Sequence, residues 1–122
     1  MPGSILIVDD NRDAREMWAE SLTGAGHTVT VAHSGEEALV MLPSFQPTVA
    51  VVDLGLPGIS GFELAGRIRA ALPAVRLLAL SGYGQSTDKA RAMEAGFDRH
   101  VTKPLSESTL DDLLSGLPVR NA

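Results

Sequence analysis

The sequence has no cysteine, few aromatic residues, and no long apolar or basic stretch. The absence of cysteine excludes disulfides and thiolate metal sites, and it is typical of a reducing compartment. No apolar run approaches the roughly 18–20 residues of a membrane span, and no basic segment precedes the first apolar run as in a signal peptide. The net charge is −5 without a cluster of Lys or Arg, so nothing indicates a nucleic-acid surface. We therefore expect a soluble, cytoplasmic domain that contacts neither membrane nor nucleic acid.

A chain of 122 residues, 44% hydrophobic and 20% charged, is long enough for one domain with its own core and too short for two. Short apolar segments alternate with segments of helical periodicity. The predicted strands are 5–8, 28–32, 49–53, 75–80 and 99–102, and the predicted helices are 11–25, 34–42, 60–72, 86–95 and 106–117. We expect one domain over residues 1–118 and a disordered tail over 119–122.

Regular strand–helix alternation predicts an α/β fold, a single doubly wound (βα)5 domain with helices on both faces of a parallel sheet. The runs at 5–8, 49–53 and 77–80 are continuously apolar and should be central. The strand at 28–32 alternates apolar and polar residues, and the strand at 99–102 is short, so both should be edges. The predicted strand order is 2-1-3-4-5.

The helices differ in the strength of their signals. Ser34–Glu37 and Ser60–Glu63 have the spacing of capping boxes, and the first helix places its apolar residues, Trp18 among them, on one stripe. The segment 86–95 has Met93 as its only large apolar residue, so we expect this helix to be loosely held.

Polar residues follow the predicted strands at the points where they end. Asp9 and Asp10 follow the first, Asp53 ends the third, Ser81 follows the fourth and Lys103 the fifth. Because the carboxyl ends of parallel strands share one edge, we expect these side chains to converge. Oxygen ligands without His or Cys favour Mg²⁺, and a carboxylate can act as a nucleophile that forms an aspartyl phosphate.

Each of these residues also has a structural alternative. Asp53 could cap a turn, and Asp10 could be the N-cap of the helix that follows it. Ser81 could be a plain turn residue, and Lys103 a solvated surface lysine.

The chain resembles the receiver domain of two-component response regulators over nearly its full length. The motifs that carry the resemblance are Ile7-Val8-Asp9-Asp10, Asp53-Leu-Gly-Leu-Pro57 with Gly61 beyond it, Leu80-Ser81-Gly82, and Lys103-Pro104. The resemblance implies a flavodoxin-like fold with Asp53 as the phosphoacceptor, and Ser81 and Lys103 as phosphoryl-binding residues. It also implies a Mg²⁺ (or Mn²⁺) site, a cis Lys103–Pro104 bond and Ser81 as a switch hydroxyl. The implied metal contacts are Asp10, Asp53, the Gly55 carbonyl, and Asp9 through a water molecule.

Two departures from the family pattern concern the surroundings of the acceptor. His100 stands three residues before the lysine, where the family often has Tyr or Phe, and it is either a different switch residue or a half-exposed residue of an edge strand. Gly55 stands two residues after Asp53, where many relatives carry a larger side chain, and Tyr83 flanks the same cleft from the other side. We expect Gly55 and Tyr83 to govern water access to the acceptor.

The predicted function is a phosphorylation-dependent signalling switch that modifies itself and is not a turnover enzyme. Its expected partners are a histidine kinase or histidine phosphotransfer protein, and a downstream protein that docks on the last strand and its flanking helices. The alternative is a receiver-fold interaction module that is never phosphorylated. A Mg²⁺-dependent phosphotransferase would need an added cap to hold its substrate, and 122 residues leave no room for one. A flavin carrier would need a phosphate-cradling loop after the first strand, where Asp9 and Asp10 stand instead.

Overall fold

A computed structural model describes residues 4–24, 26–81 and 88–102 of the chain. The strands are β1 Ser4–Val8, β2 Thr28–Ala32, β3 Val49–Asp53, β4 Arg76–Ser81 and β5 Arg99–Thr102; the helices are α1 Arg12–Gly24, α2 Gly35–Met41, α3 Gly61–Ala71 and α4 Asp88–Ala95. Each predicted element within the described ranges is present, with ends shifted by a few residues at most. The predicted helix 106–117 and tail 119–122 lie outside the described residues.

The five strands form one parallel sheet in the order β2-β1-β3-β4-β5, as predicted. β3 is buried along its whole length, whereas edge strand β2 is exposed at Thr28, half-exposed over the next three residues and buried only at Ala32. Because all strands run in the same direction, their carboxyl ends form a single edge of the sheet. Among the described residues no helix is long and apolar enough to cross a membrane.

The core is divided by the sheet into two clusters. On one face α1 packs through Trp18 and Leu22 against Ile7, Val51 and Leu80. On the other face the larger cluster gathers residues of α2, α3 and α4 around the central strands, and its central side chains are Leu6, Val52, Leu64, Ile68, Leu77 and Ala79. The alternation of side chains along each strand assigns successive residues to these two faces.

The helix starts follow the capping signals of the sequence. The Ser34 hydroxyl accepts a hydrogen bond from Glu37 N–H, and the Ser60 hydroxyl accepts one from Glu63 N–H, each over 3.1 Å. Both capping residues have extended backbone dihedrals, as N-caps do. These caps fix where α2 and α3 begin relative to the ends of the strands before them.

Two methionine side chains of the helices are exposed. The apolar stripe of α1 includes Met17 and so predicts that it is buried, yet it is 45% exposed, and Met93 of α4 is 49% exposed. α4 instead contacts the core through Ala92, and Phe97 beyond the helix is buried. The Arg91 guanidinium also lies 4.1 Å from the centre of the Phe62 ring on α3. α4 is therefore held by the buried Ala92, by Phe97 just beyond the helix and by the contact of Arg91 with Phe62.

Candidate functional site

Three carboxylates meet at the carboxyl edge of the sheet. Asp9 directly follows β1, Asp10 is the next residue, and Asp53 ends β3. Each of the three offers a carboxylate oxygen, and these oxygens all lie within 4.8 Å of one another. Asp9 and Asp53 are buried and Asp10 is exposed, so the group is accessible from one side. The convergence predicted from strand topology is present for these three carboxylates.

The turn after β1 determines which way the acidic pair faces. Asn11 N–H donates to Asp9 Oδ1 over 2.9 Å, and Asn11 Oδ1 accepts from Ala14 N–H over 3.0 Å. Asn11 is therefore the N-cap of α1, and the alternative in which Asp10 caps this helix is excluded. Asp10 remains exposed at the mouth of the acidic group.

Arg15 supports this turn from α1, and sequence reasoning missed it. One guanidinium nitrogen of Arg15 donates to the backbone carbonyl of Asp9 over 2.9 Å. The hydrogen bond fixes the chain between β1 and α1. It also places the cation of Arg15 against the backbone of Asp9. A basic residue one helical turn past a strand exit is too common a pattern to have indicated this contact.

Asp53 both shapes the turn that follows it and belongs to the acidic group. Its Oδ1 accepts a hydrogen bond from Gly55 N–H over 2.8 Å, so Asp53 does cap the turn after β3, as the structural alternative predicted. It belongs to the acidic group as well. A Cβ built on Gly55 would lie 3.4 Å from that same Oδ1, at ordinary contact distance. Gly55 itself is exposed, so a side chain at this position would lie at the surface beside the Asp53 carboxylate.

The loop from β3 to α3 is held at both ends. Leu54 and Leu56 are buried, and Glu36 Oε2 on α2 accepts a hydrogen bond from Ile59 N–H over 3.3 Å. A Cβ at Gly61 would lie 2.9 Å from the Asp53 carbonyl oxygen, so only glycine allows α3 to begin this close to the end of β3. The backbone around Asp53 is thereby anchored to two helices.

Ser81 ends β4, one residue beyond Leu80, which is the register partner of Asp53. The Ser81 side chain is fully buried, and its hydroxyl has no hydrogen-bond partner among the described residues. Burying an unpaired hydroxyl costs about 1–3 kcal/mol, so such groups are few in native proteins. The hydroxyl is available to a ligand that reaches this edge of the sheet.

His100 lies on β5 opposite Ala79 and is half-buried. Its Nε2 is buried and likewise has no hydrogen-bond partner within the described ranges. The remaining residues that the sequence places at this edge, Tyr83, Lys103 and Pro104, lie outside the described residues.

The chemistry of the acidic group fits a hard divalent cation. Like charges at this separation repel one another, and two of the three carboxylates are removed from bulk water. The group offers only carboxylate oxygens, which suit Mg²⁺ or Mn²⁺ better than softer metals. One exposed member leaves room for water molecules, which Mg²⁺ retains in most protein sites.

The proteins to which this chain is similar are response regulators. The family model for the response regulator receiver domain matches residues 5–115. The transcriptional regulatory protein AfsQ1 of Streptomyces coelicolor is 40% identical over 115 residues, which span 91% of this chain and 48% of that protein. The response regulator MprA of Mycobacterium ulcerans is 34% identical over 111 residues, or 91% of this chain and 47% of that protein. The chain thus spans about half the length of these regulators.

A solved structure shows the same architecture over almost the whole chain. The chemotaxis protein CheY4 of Vibrio cholerae superposes with a TM-score of 0.90 at 26% identity, and the match covers 97% of this chain and 100% of that one. The flavodoxin-like fold expected from the sequence is confirmed.

Proposed function

Because the chain belongs to the response regulator receiver domain family, we propose that it is a signalling switch that accepts a phosphoryl group on Asp53. Receiver domains are signalling switches of two-component systems rather than classical enzymes. The observation that carries the proposal is the meeting of Asp9, Asp10 and Asp53 within 4.8 Å at the carboxyl edge of the sheet. A buried acceptor beside two further acids is costly for folding alone and useful for phosphoryl transfer.

In the proposed reaction a carboxylate oxygen of Asp53 attacks phosphorus in line with the leaving group. The P–N bond of a phosphohistidine, or the P–O bond of a small acyl phosphate, breaks, and the leaving group retains the bonding electron pair. The product is an acyl phosphate on Asp53. The donor would approach from the side where Asp10 and Gly55 are exposed.

Phosphoryl transfer needs positioning and charge neutralisation more than covalent chemistry by the protein. Asp10, Asp53 and the Gly55 carbonyl would hold Mg²⁺ directly and Asp9 through water. When bound, the cation neutralises charge on the transferring group. The Ser81 hydroxyl donates a hydrogen bond to one phosphoryl oxygen, and Lys103 pairs with the same dianion. Arg15 and Asn11 keep the acidic turn in position throughout.

The proposed donor is a histidine kinase or histidine phosphotransfer protein, and the proposed recipient of the signal is a protein that docks on β5 and its flanking helices. Phosphorylation adds a charge of about −2 and three acceptor oxygens at the edge of the sheet. α4, whose buried apolar side chain is Ala92 while Met93 is 49% exposed, would respond to a change there. Intrinsic hydrolysis of the acyl phosphate returns the switch to its resting state.

The proposal is tested by incubating the protein with acetyl phosphate or phosphoramidate and weighing the intact chain. We expect a gain of one phosphoryl group that requires Mg²⁺ and disappears in Asp53→Asn. The matched control is Asp13→Asn, which removes an exposed carboxylate in the first turn of α1 and should leave the gain unchanged. No gain in the parent protein would favour the alternative, a receiver-fold interaction module that is not phosphorylated.

A further inference from the structure

The loop between β3 and α3, residues 54–60, contacts the first turn of α2 near its exposed middle. Glu36 Oε2 accepts a hydrogen bond from Ile59 N–H over 3.3 Å. A Cβ built on Gly58 would lie 2.6 Å and 3.1 Å from the two carboxylate oxygens of Glu36, so the carboxylate packs directly on this glycine. A Cβ on Gly35 would in turn lie 3.3 Å from Ile59 Cβ. The first turn of α2 therefore holds the loop through both polar and apolar contacts.

The turn against which Glu36 packs has a specific backbone conformation. Gly58 has a φ of 74°, in the left-handed region that favours glycine. Pro57, the residue before it, has no N–H to donate, and both residues are exposed. Because these residues lie at the surface, burial contributes little to fixing the turn, and the contact with Glu36 contributes more.

The same loop begins at the acceptor. Gly55 N–H donates to Asp53 Oδ1 over 2.8 Å, and under the proposed function the Gly55 carbonyl is a contact of the divalent cation. Only Leu56 and Pro57 separate Gly55 from Gly58, so a shift of the turn is transmitted through a few backbone bonds. Mg²⁺ requires near-ideal octahedral geometry, so displacement of a carbonyl ligand weakens its binding.

We propose that Glu36 is a positioning residue for the cation site, and that it acts as the acceptor for Ile59 N–H rather than through its charge. This inference rests on the proposed function. Glu36 is not one of the three carboxylates that meet at the carboxyl edge of the sheet. Its charge has a separate effect, because an acidic residue in the first turn of α2 favours the helix dipole. The two effects can be separated, since positioning needs an oxygen acceptor and the dipole needs a negative charge.

The test compares Glu36→Ala with Glu36→Gln in the full chain. Glutamine keeps a side-chain oxygen that can accept from Ile59 N–H and removes the charge, whereas alanine removes both. We expect Glu36→Ala to bind Mg²⁺ about threefold more weakly than the parent, as for the loss of one exposed hydrogen bond. Glu36→Gln should bind Mg²⁺ nearly as tightly as the parent. Isothermal titration calorimetry measures the dissociation constants.

The matched control is Glu63→Ala, which removes the same charge from the first turn of the helix at the other end of the loop. The Glu63 carboxylate forms an exposed ion pair with Arg67, so the variant should bind Mg²⁺ like the parent. Weakening by Glu63→Ala equal to that by Glu36→Ala would mean that net charge is responsible, and it would overturn the inference.

A second readout needs no cation. In ¹⁵N–¹H NMR spectra of the metal-free protein, the amide resonance of Gly55 reports the position of the loop four residues before Ile59. We expect this resonance to move in Glu36→Ala and to stay close to its parent position in Glu36→Gln. The free energy of unfolding is the comparison, because loss of the dipole interaction lowers it in both variants alike. A merely structural role would therefore not separate alanine from glutamine.

The outcomes distinguish this inference from the proposed function. If Glu36→Ala binds Mg²⁺ as tightly as the parent, or Glu36→Gln binds it as weakly as Glu36→Ala, the inference is wrong even where the parent gains phosphoryl mass. If the parent binds Mg²⁺ but gains no mass from acetyl phosphate, the proposed function fails, and the affinities of the two variants still decide the role of Glu36. A parent protein that binds no Mg²⁺ overturns both.

Discussion

The two ends of the sheet differ in how their charged side chains are arranged. At the carboxyl end Asp9, Asp10 and Asp53 crowd three like charges together, and Ser81 and His100 have unpaired buried atoms within the described residues. At the amino end the charged groups are opposite in sign and share many hydrogen bonds. The first arrangement lowers stability and leaves groups available for a ligand, whereas the second closes the fold around satisfied polar groups.

The amino end is organised by Arg69 near the end of α3. Its guanidinium donates to the backbone carbonyls of Pro73, Val75 and Gly96, and it pairs with Asp98 over 3.1 Å. Asp98 Oδ2 also accepts from Leu77 N–H over 2.8 Å. A single cation therefore connects α3 with the entries to β4 and β5.

The sharpest way to break this contrast is Arg69→Met, which keeps the apolar stem and removes the guanidinium. The Asp98 side chain is only 6% exposed, so the change removes a cation from beside a buried carboxylate and also removes a donor to three backbone carbonyls. We expect the free energy of unfolding to fall by about 3 kcal/mol, measured by urea denaturation.

The matched control is Arg67→Met on the same helix. Arg67 forms an exposed ion pair with Glu63, which contributes a few tenths of a kcal/mol at most. If Arg69→Met and Arg67→Met cost the same, the amino end is not the stabilising end of the sheet.

Asp10→Asn tests the other side of the comparison, because it neutralises the exposed member of the acidic group. Without divalent cations we expect the free energy of unfolding to rise by about 1 kcal/mol, since one repelling charge is removed. With Mg²⁺ the order should reverse, because the parent is stabilised by cation binding and the variant far less. Thermal unfolding with and without Mg²⁺ measures both. Equal responses of the two proteins to Mg²⁺ would contradict a shared cation.

Gly55→Leu concerns access to the acceptor rather than charge. A side chain at this position begins 3.4 Å from Asp53 Oδ1, and glycine is not required there by a positive φ. We expect the larger side chain to shield the acyl phosphate and slow its hydrolysis about threefold, a change of about 0.6 kcal/mol in the barrier. The rate is followed as loss of phosphoryl mass after the donor is removed. Unchanged or faster hydrolysis would show that this position does not shield the acceptor.

The smallest expected effect concerns Glu37, which lies in the first turn of α2 and belongs neither to the acidic group nor to the Arg69–Asp98 pair. The backbone N–H of His33 donates to its carboxylate and, with the His33 ring and Arg15 nearby, lowers the pKa of Glu37. A lowered pKa in the folded state contributes stability above the unfolded value near 4.3 and loses it as pH falls through the folded value. Glu37→Gln should flatten this acid limb slightly in denaturation curves taken between pH about 3 and 6. An unchanged limb would mean that the contact is too exposed to matter.

The architecture could be read from the sequence because each element carried a local signal. Apolar runs of β1, β3 and β4 marked central strands, Ser34 and Ser60 marked helix starts, and parallel topology then brought Asp9 and Asp53 to one edge. The position of the acidic group could therefore be predicted from the order and direction of the strands.

The contacts that sequence could not supply join distant residues or depend on side-chain packing. Arg69 and Asp98 are 29 residues apart and carry no pattern that links them. Met93 is 49% exposed whereas its neighbour Ala92 is buried, so the face that α4 turns to the core is set by tertiary packing rather than by its most hydrophobic residue. The unpaired atoms of Ser81 and His100 are likewise visible only once burial and hydrogen bonding are known.

The central claim is that Asp53, among three neighbouring carboxylates, accepts the phosphoryl group. The most direct measurement is to phosphorylate the protein with acetyl phosphate and Mg²⁺, reduce the acyl phosphate with borohydride and map the resulting homoserine by peptide mass spectrometry. The account predicts conversion at Asp53 and none at Asp9 or Asp10. Homoserine at either of those positions, or at no position in a protein that has gained phosphoryl mass, would contradict it.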